Sequence, residues 1–143
     1  AASDVYKRQL GYTPQQGDIV VVNKTTVQHL GGSAIVKRVI AVGGQTVDID
    51  YATSSVYVDG ELLDEPYIRE PMDDITADPN RAQTHFEVPE GEIFVMGDNR
   101  NHSSDSRDVT LGTVDERYVL GRAVCVLLPF QNFGMIPEGE QTR

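Results

Sequence analysis

Ala34-Ile35-Val36-Lys37-Arg38-Val39-Ile40-Ala41-Val42-Gly43-Gly44-Gln45-Thr46-Val47-Asp48-Ile49-Asp50 is rich in β-branched residues and is broken only by a glycine pair. Its first part is too short for an independent helix and ends at a turn signal, so Ala34 to Val42 is expected as a buried strand. Thr46 to Asp50 alternates Val47 and Ile49 with polar residues, the period of a strand with one face on a core. Working outward, Asp18-Ile19-Val20-Val21-Val22 is a second short buried strand. Val56-Tyr57-Val58 and Glu61-Leu62-Leu63 flank Asp59-Gly60, the signature of a two-residue hairpin turn. Glu92-Ile93-Phe94-Val95-Met96 and Tyr118 to Leu128 supply further strands. Thr113-Val114-Asp115-Glu116 has capping-box spacing for at most a short helical turn. Arg69 to Thr84 turns polar, with Pro71 and Pro79, and is expected to be a surface excursion. No repeat, heptad or long amphipathic helix occurs. The expected fold is mostly β: twisted antiparallel sheets in one compact domain over residues 10–143, with little helix. Residues 1–9 show no periodicity and are expected to be a foreign segment.

At 143 residues one domain suffices. A net charge of −10 argues against nucleic acid as a partner. Cys125 lies in the apolar run Ala123 to Leu128 and is expected to be a buried structural thiol; as a lone cysteine it makes no intrachain disulfide. No stretch approaches the roughly 20 apolar residues of a membrane span.

Two places carry chemistry. In a regular strand Lys37 shares a face with Ile35, Val39 and Ala41, while Arg38 points the other way with Val36, Ile40 and Val42. An ammonium on an apolar face is poorly solvated, which lowers its pKa and makes a neutral amine available as a general base. The alternative is an exposed edge lysine whose amine snorkels into water. Arg38 stays protonated and must find carboxylates or carbonyls.

The second place is Gly97-Asp98-Asn99-Arg100-Asn101-His102-Ser103-Ser104-Asp105-Ser106-Arg107, eleven residues with two carboxylates, two guanidiniums, three hydroxyls and no apolar side chain. Asp98 and Asp105 are expected to pair with Arg38 and Arg107, and a loop hydroxyl can bond a neutral lysine amine. A calcium loop is a poor reading, because Arg100 and His102 stand where oxygen ligands are needed. His29, His85, His102 and Cys125 lack zinc-ligand spacing, and Gly43-Gly44 is a turn rather than a phosphate cradle. No metal and no cofactor is expected. A purely structural salt-bridge loop remains open at this point.

Taken together, these segments resemble the boxes of the type I signal peptidases. Gly17 to Val22 is similar to the family's first strand box, Lys37-Arg38-Val39-Ile40 to its lysine box, and Gly97 to Arg107 to its GDN-x-x-x-S-x-D-S-R box. Val56 to Ile68, with Asp64-Glu65-Pro66-Tyr67, and Gly121-Arg122-Ala123 extend the similarity over approximately Leu10 to Phe133. The resemblance implies a membrane-anchored serine endopeptidase that removes signal peptides from exported preproteins through a Ser–Lys dyad. Lys37 would be the general base and Ser103 the serine that orients it. Arg38, Asp98, Asp105, Ser106 and Arg107 would brace the site. The preprotein would bind extended beside the lysine strand, touching Ile35 and Val36, and the catalytic domain would face the extracytoplasmic side of the cytoplasmic membrane.

The resemblance has gaps. The family's serine box, Ser-Met-x-Pro, should precede Tyr12, and Ser3, the one earlier serine, lacks that context. No residue here matches the nucleophile, so the expectation is a chain that begins after its serine box and membrane anchor and is inactive as it stands. Gly43 and Gln45 stand where many members carry Pro and Asp, which would soften that turn. Two other readings fit a lysine strand on a β-fold: a Ser–Lys self-cleaving regulatory protease, and a noncatalytic module that grips extended peptides.

Overall fold

The computed structural model describes residues 12–23 and 34–123. Expectations for Ser3, His29, Cys125 and the end of the final strand lie outside those residues. Nine strands form in chain order: β1 (Ile19–Asn23), β2 (Ala34–Val42), β3 (Thr46–Asp50), β4 (Ser55–Val58), β5 (Glu61–Leu62), β6 (His85–Glu87), β7 (Glu92–Met96), β8 (Val114–Asp115) and β9 (Val119–Arg122). They make two antiparallel sheets, ordered β8-β7-β2-β1-β9 and β5-β4-β3-β6. Among the described residues the helical content is three single 3-10 turns, at Pro79–Arg81, Arg100–His102 and Glu116–Tyr118. The mostly-β architecture read from the sequence is the one observed.

The turns carry the residues their geometry needs. Asp59 and Gly60 both have positive φ, 51° and 83°, as a tight β4–β5 hairpin requires, and Val58 pairs with Glu61 across it. Gln45 closes the β2–β3 turn with both its side chain and its backbone. The Gln45 side chain accepts from the Val42 amide at 2.9 Å, while the Gln45 amide donates to the Val42 carbonyl at 3.1 Å.

The larger sheet buries apolar residues on both faces, which explains the unbroken run Ile93-Phe94-Val95-Met96. One core lies between the sheets, where Ile40, Ala41, Phe94 and Met96 meet Val47, Ile49, Val56 and Phe86. Phe86 and Phe94 pack with ring centroids 4.8 Å apart at 53°. A second core on the opposite face holds Val20, Val22, Val39, Ile93, Val95, Val114 and Val119, with Ile35 and Val42 against it.

That partition corrects the strict alternation expected along β2. The β2–β7 register shifts between Val39 and Ala41, a β-bulge that leaves Ile40 without an opposite residue. Past the bulge the faces exchange. Ala41 joins Ile40 between the sheets, and Val42 joins Val39 on the other side. Lys37 therefore shares its face with Ile35 and Val39 but not with Ala41. The strand is also not buried throughout. Pairing with β7 begins only at Arg38↔Met96, whereas pairing with β1 continues to Ala34. Residues 34–37 thus project beyond β7 with one edge unpaired among the described residues, and Val36 is 57% exposed.

One smaller expectation changes. Thr113 caps nothing: its hydroxyl bonds Glu92, and Asp115 caps the turn at Glu116–Tyr118 by accepting from the Arg117 amide. The polar stretch Arg69 to Thr84 runs over the surface as expected, fastened at two points. Met72 enters the core between the sheets, and Arg81 pairs with Asp108 at 3.3 Å.

Candidate active site

The eleven-residue loop leaves β7 at Gly97 and is fastened back onto the same strand. The Ser106 amide donates to the Val95 carbonyl, and the Val95 amide donates to Ser106 Oγ, both at 3.0 Å. Asp105 Oδ2 accepts from the Gly97 amide at 3.0 Å. A 3-10 turn at Arg100–His102 then lifts Ser103 over the lysine strand.

Lys37 Nζ lies 2.6 Å from Ser103 Oγ and donates to it. Burial pushes the Lys37 amine below its ordinary pKa; the nearby Asp105 carboxylate opposes this and the Arg107 guanidinium reinforces it. The two charges are themselves a pair. Arg107 Nε and Nη2 donate to Asp105 Oδ1 and Oδ2 at 2.9 and 3.0 Å, and both residues are 1% exposed. A carboxylate answered by a guanidinium has little field left to hold a proton on the neighbouring amine, so desolvation governs Lys37. The edge-snorkelling reading of this lysine is thereby set aside.

Arg38, pointing to the other face, grips Asp98 bidentately, Nε to Oδ1 at 2.8 Å and Nη2 to Oδ2 at 2.7 Å. Its Nη1 donates to the Gly17 carbonyl at 3.0 Å, and its guanidinium stacks 3.8 Å from the Tyr67 ring centre. The hydrogen bond to Asp98 raises the Arg38 pKa further. The structure thus brings together Lys37 with Ser103, Arg38 with Asp98, and Asp105 with Arg107, while Ser106 closes the loop. Ile35 packs partly on the core beneath Lys37, and Val36 stands on the open edge.

Arg100, Glu65 and Tyr67 were not singled out from the sequence as site residues. Arg100 is buried, donates through Nε to the Gly97 carbonyl at 2.8 Å, and clamps Glu65 with contacts of 3.1 and 2.5 Å. Its ion pair ties the loop to the segment after β5, and the Asn101 side chain adds bonds to Glu70, Pro71 and the Asp73 amide. Tyr67 lies between the Arg38 and Arg100 guanidiniums, and burial together with Glu65 raises its phenol to about 12. The signal available was the Glu65-Pro66-Tyr67 box, whose role needs the fold to become visible.

Gly97 is required by space. A Cβ there would lie 2.0 Å from Ser103 Oγ and 2.6 Å from Ser103 Cβ. Gly97→Ala is expected to push Ser103 off Lys37. A crystal structure of the variant checks the displacement directly, and an unchanged 2.6 Å separation of Lys37 Nζ and Ser103 Oγ would show that Ser103 had not moved.

Comparison with known proteins follows the same lines. A family model described as signal peptidase, peptidase S26, matches residues 4–128. The probable signal peptidase I-1 of Synechocystis sp. is 36% identical over 129 residues, covering 87% of this chain and 60% of that protein. Signal peptidase I of Mycobacterium tuberculosis strain H37Rv is 40% identical over 117 residues, 71% of this chain and 39% of that protein. The crystal structure of a signal peptidase I from Enterococcus faecalis V583 superposes with a TM-score of 0.61 at 30% identity, over 78% of this chain and 97% of that one. The chain spans at most 60% of the length of the two curated relatives named here. On a family match that takes in both the lysine strand and the polar loop, this chain belongs to the signal peptidase I family.

Proposed function

We propose that these residues form the base side of a Ser–Lys endopeptidase that removes signal peptides from exported preproteins. The observation that carries the reading is a half-buried lysine amine with a lowered pKa, 2.6 Å from a serine hydroxyl, at a strand edge unpaired among the described residues. The nucleophile is a serine from the family's Ser-Met-x-Pro box, ahead of Tyr12 in the complete enzyme, which also supplies most oxyanion donors. The serine Oγ attacks the scissile carbonyl as neutral Lys37 Nζ takes its proton. The resulting ammonium then protonates the departing amine, leaving an acyl-enzyme. Lys37, neutral again, accepts a proton from the water that attacks the ester and returns it to the serine Oγ as the acyl C–O bond breaks, which frees the acid product and restores the hydroxyl. Ser103 Oγ, accepting from Lys37, turns the amine lone pair toward the nucleophile.

Substrate binding uses the open edge. Among the described residues no strand pairs with residues 34–37 on the β7 side, so an extended preprotein segment can add there as a strand, with Ile35 and Val36 beside its small side chains. Among the described residues no helix is long and apolar enough to cross a membrane. The anchor that would hold the catalytic domain on the extracytoplasmic side of the cytoplasmic membrane belongs, in this proposal, to the segment bearing the serine box.

Ser103→Ala in the complete enzyme tests the assignment. The expected result is a fall in kcat of about 10- to 100-fold with a melting temperature close to that of the parent, since the hydroxyl orients a base rather than filling a core. A large loss of melting temperature without a specific rate defect would make the loop structural and sink the assignment. Reading the source coding sequence upstream of Leu10 for the serine box is the companion measurement.

A further inference from the structure

Gly97 is the floor on which Ser103 rests: a Cβ on it would stand 2.0 Å from Ser103 Oγ and 3.4 Å from Lys37 Nζ. The seat of the serine therefore depends on how firmly this one backbone unit is held. Its amide donates to Asp105 Oδ2 at 3.0 Å, and its carbonyl accepts from Arg100 Nε at 2.8 Å. The first hold belongs to the Asp105–Arg107 pair. The second depends on what fixes the Arg100 side chain, which is wholly buried.

That task falls to Glu65, whose side chain is 6% exposed and is brought in by the segment after β5. Its Oε1 accepts from Arg100 Nη1 at 3.1 Å and its Oε2 from Arg100 Nη2 at 2.5 Å. Among the described residues Glu65 supplies every oxygen that these two nitrogens bond, and the further contact of Nη1 is Met72 Sδ at 4.0 Å. The Tyr67 hydroxyl donates to Glu65 Oε2 at 3.2 Å, while the Tyr67 ring lies against the guanidinium of Arg38, the residue after Lys37 in β2. The carboxylate is thus itself anchored to the lysine strand. A guanidinium is rigid and planar, so two bonds to Glu65 at one end fix the direction of the Nε–H at the other.

We propose that Glu65 is a positioning residue for the peptidase reaction: it fixes the plane of Arg100, Arg100 holds the Gly97 carbonyl, and Gly97 seats Ser103 Oγ against Lys37 Nζ. This role rests on the peptidase reading above and gives its site a residue from outside both the lysine strand and the polar loop. Glu65→Gln keeps the size of the side chain but turns a donor toward the donors of Arg100, so one of the two bonds is lost. In the complete enzyme it should lower kcat several-fold, within the loss of about 10- to 100-fold expected of Ser103→Ala.

The decisive readout is the same substitution made on Ser103→Ala. No hydroxyl is then left to seat, so adding Glu65→Gln should change kcat by less than about twofold. Glu65→Asp, which keeps the charge and both oxygens on a shorter arm, should recover part of the loss in the parent, and it takes the place of Glu65→Gln in the cycle if that variant does not fold. An equal fold-loss of kcat with and without the Ser103 hydroxyl would overturn the assignment. So would a lowered melting temperature with kcat unchanged, which would leave the Glu65–Arg100 pair purely structural. Failure of the complete parent enzyme to cleave any signal peptide is a different result. It removes the peptidase reading itself, and this role with it.

Discussion

Lys37→Ala in the complete enzyme is expected to lower kcat by about 1,000-fold or more while the fold survives, because in the proposed dyad its amine takes and returns the reacting proton. Lys37→Arg should not rescue it, since guanidinium stays protonated and cannot act as a base. The structural cost runs the other way. Burial disfavours the Lys37 ammonium, so the charged form works against folding, and Lys37→Met should leave stability unchanged or raise it. The pH dependence has a definite sign. The folded-state pKa of Lys37 lies below its ordinary value of 10.5, so between the two the unfolded chain binds more protons. Stability from this group therefore rises with pH across that window, and the burial penalty is full below the depressed folded pKa. Lys37→Met should remove that slope from denaturation midpoints measured across the alkaline range. Turnover retained by Lys37→Ala would end the dyad assignment.

How far the sequence reached is clearest along β2. Its β-branched composition and flanking glycines identified the strand, and the inventory of Gly97 to Arg107 identified the loop that faces it. Period-two counting placed Lys37 and Arg38 on opposite faces, correctly, and then failed at Ala41. A bulge inserts one residue without altering the local apolar pattern, because Ile40, Ala41 and Val42 find apolar surroundings on either side of a sheet packed on both faces. The pairs Arg38–Asp98 and Asp105–Arg107 followed from charge inventory within two segments. The Arg100–Glu65 pair did not, since the two charged segments offered Arg100 no carboxylate beyond those already matched, and nothing in the stretch around Glu65 marks it as the partner. The open edge at residues 34–37 was equally hidden. It depends on where β7 stops relative to β2, a matter of register rather than composition.

Arg107→Ala should be the most damaging single substitution to stability within the loop. The guanidinium is 1% exposed and contributes both bonds to Asp105 together with one to the Arg100 carbonyl at 2.8 Å. Its removal leaves the Asp105 carboxylate buried with only the Gly97 and Arg107 amides as donors, and frees the Arg100 carbonyl as well. Stranding one member of a buried ion pair costs about 3–5 kcal/mol. Against a total stability of about 5–15 kcal/mol, that corresponds to a fall in melting temperature of roughly 10–20 °C. Arg107→Lys keeps the charge but loses the planar fork that meets both Asp105 oxygens, and should recover part of the loss. The milder variant also carries a functional readout that a merely structural pair would not move. With Asp105 less well compensated, its field acts on Lys37 and raises the amine pKa, so the acidic limb of the pH–rate profile should shift to higher pH in Arg107→Lys. A variant that melts early with an unmoved acidic limb would confine the Asp105–Arg107 pair to holding the loop. A shifted limb would make that pair the device that lets desolvation alone set the protonation of Lys37.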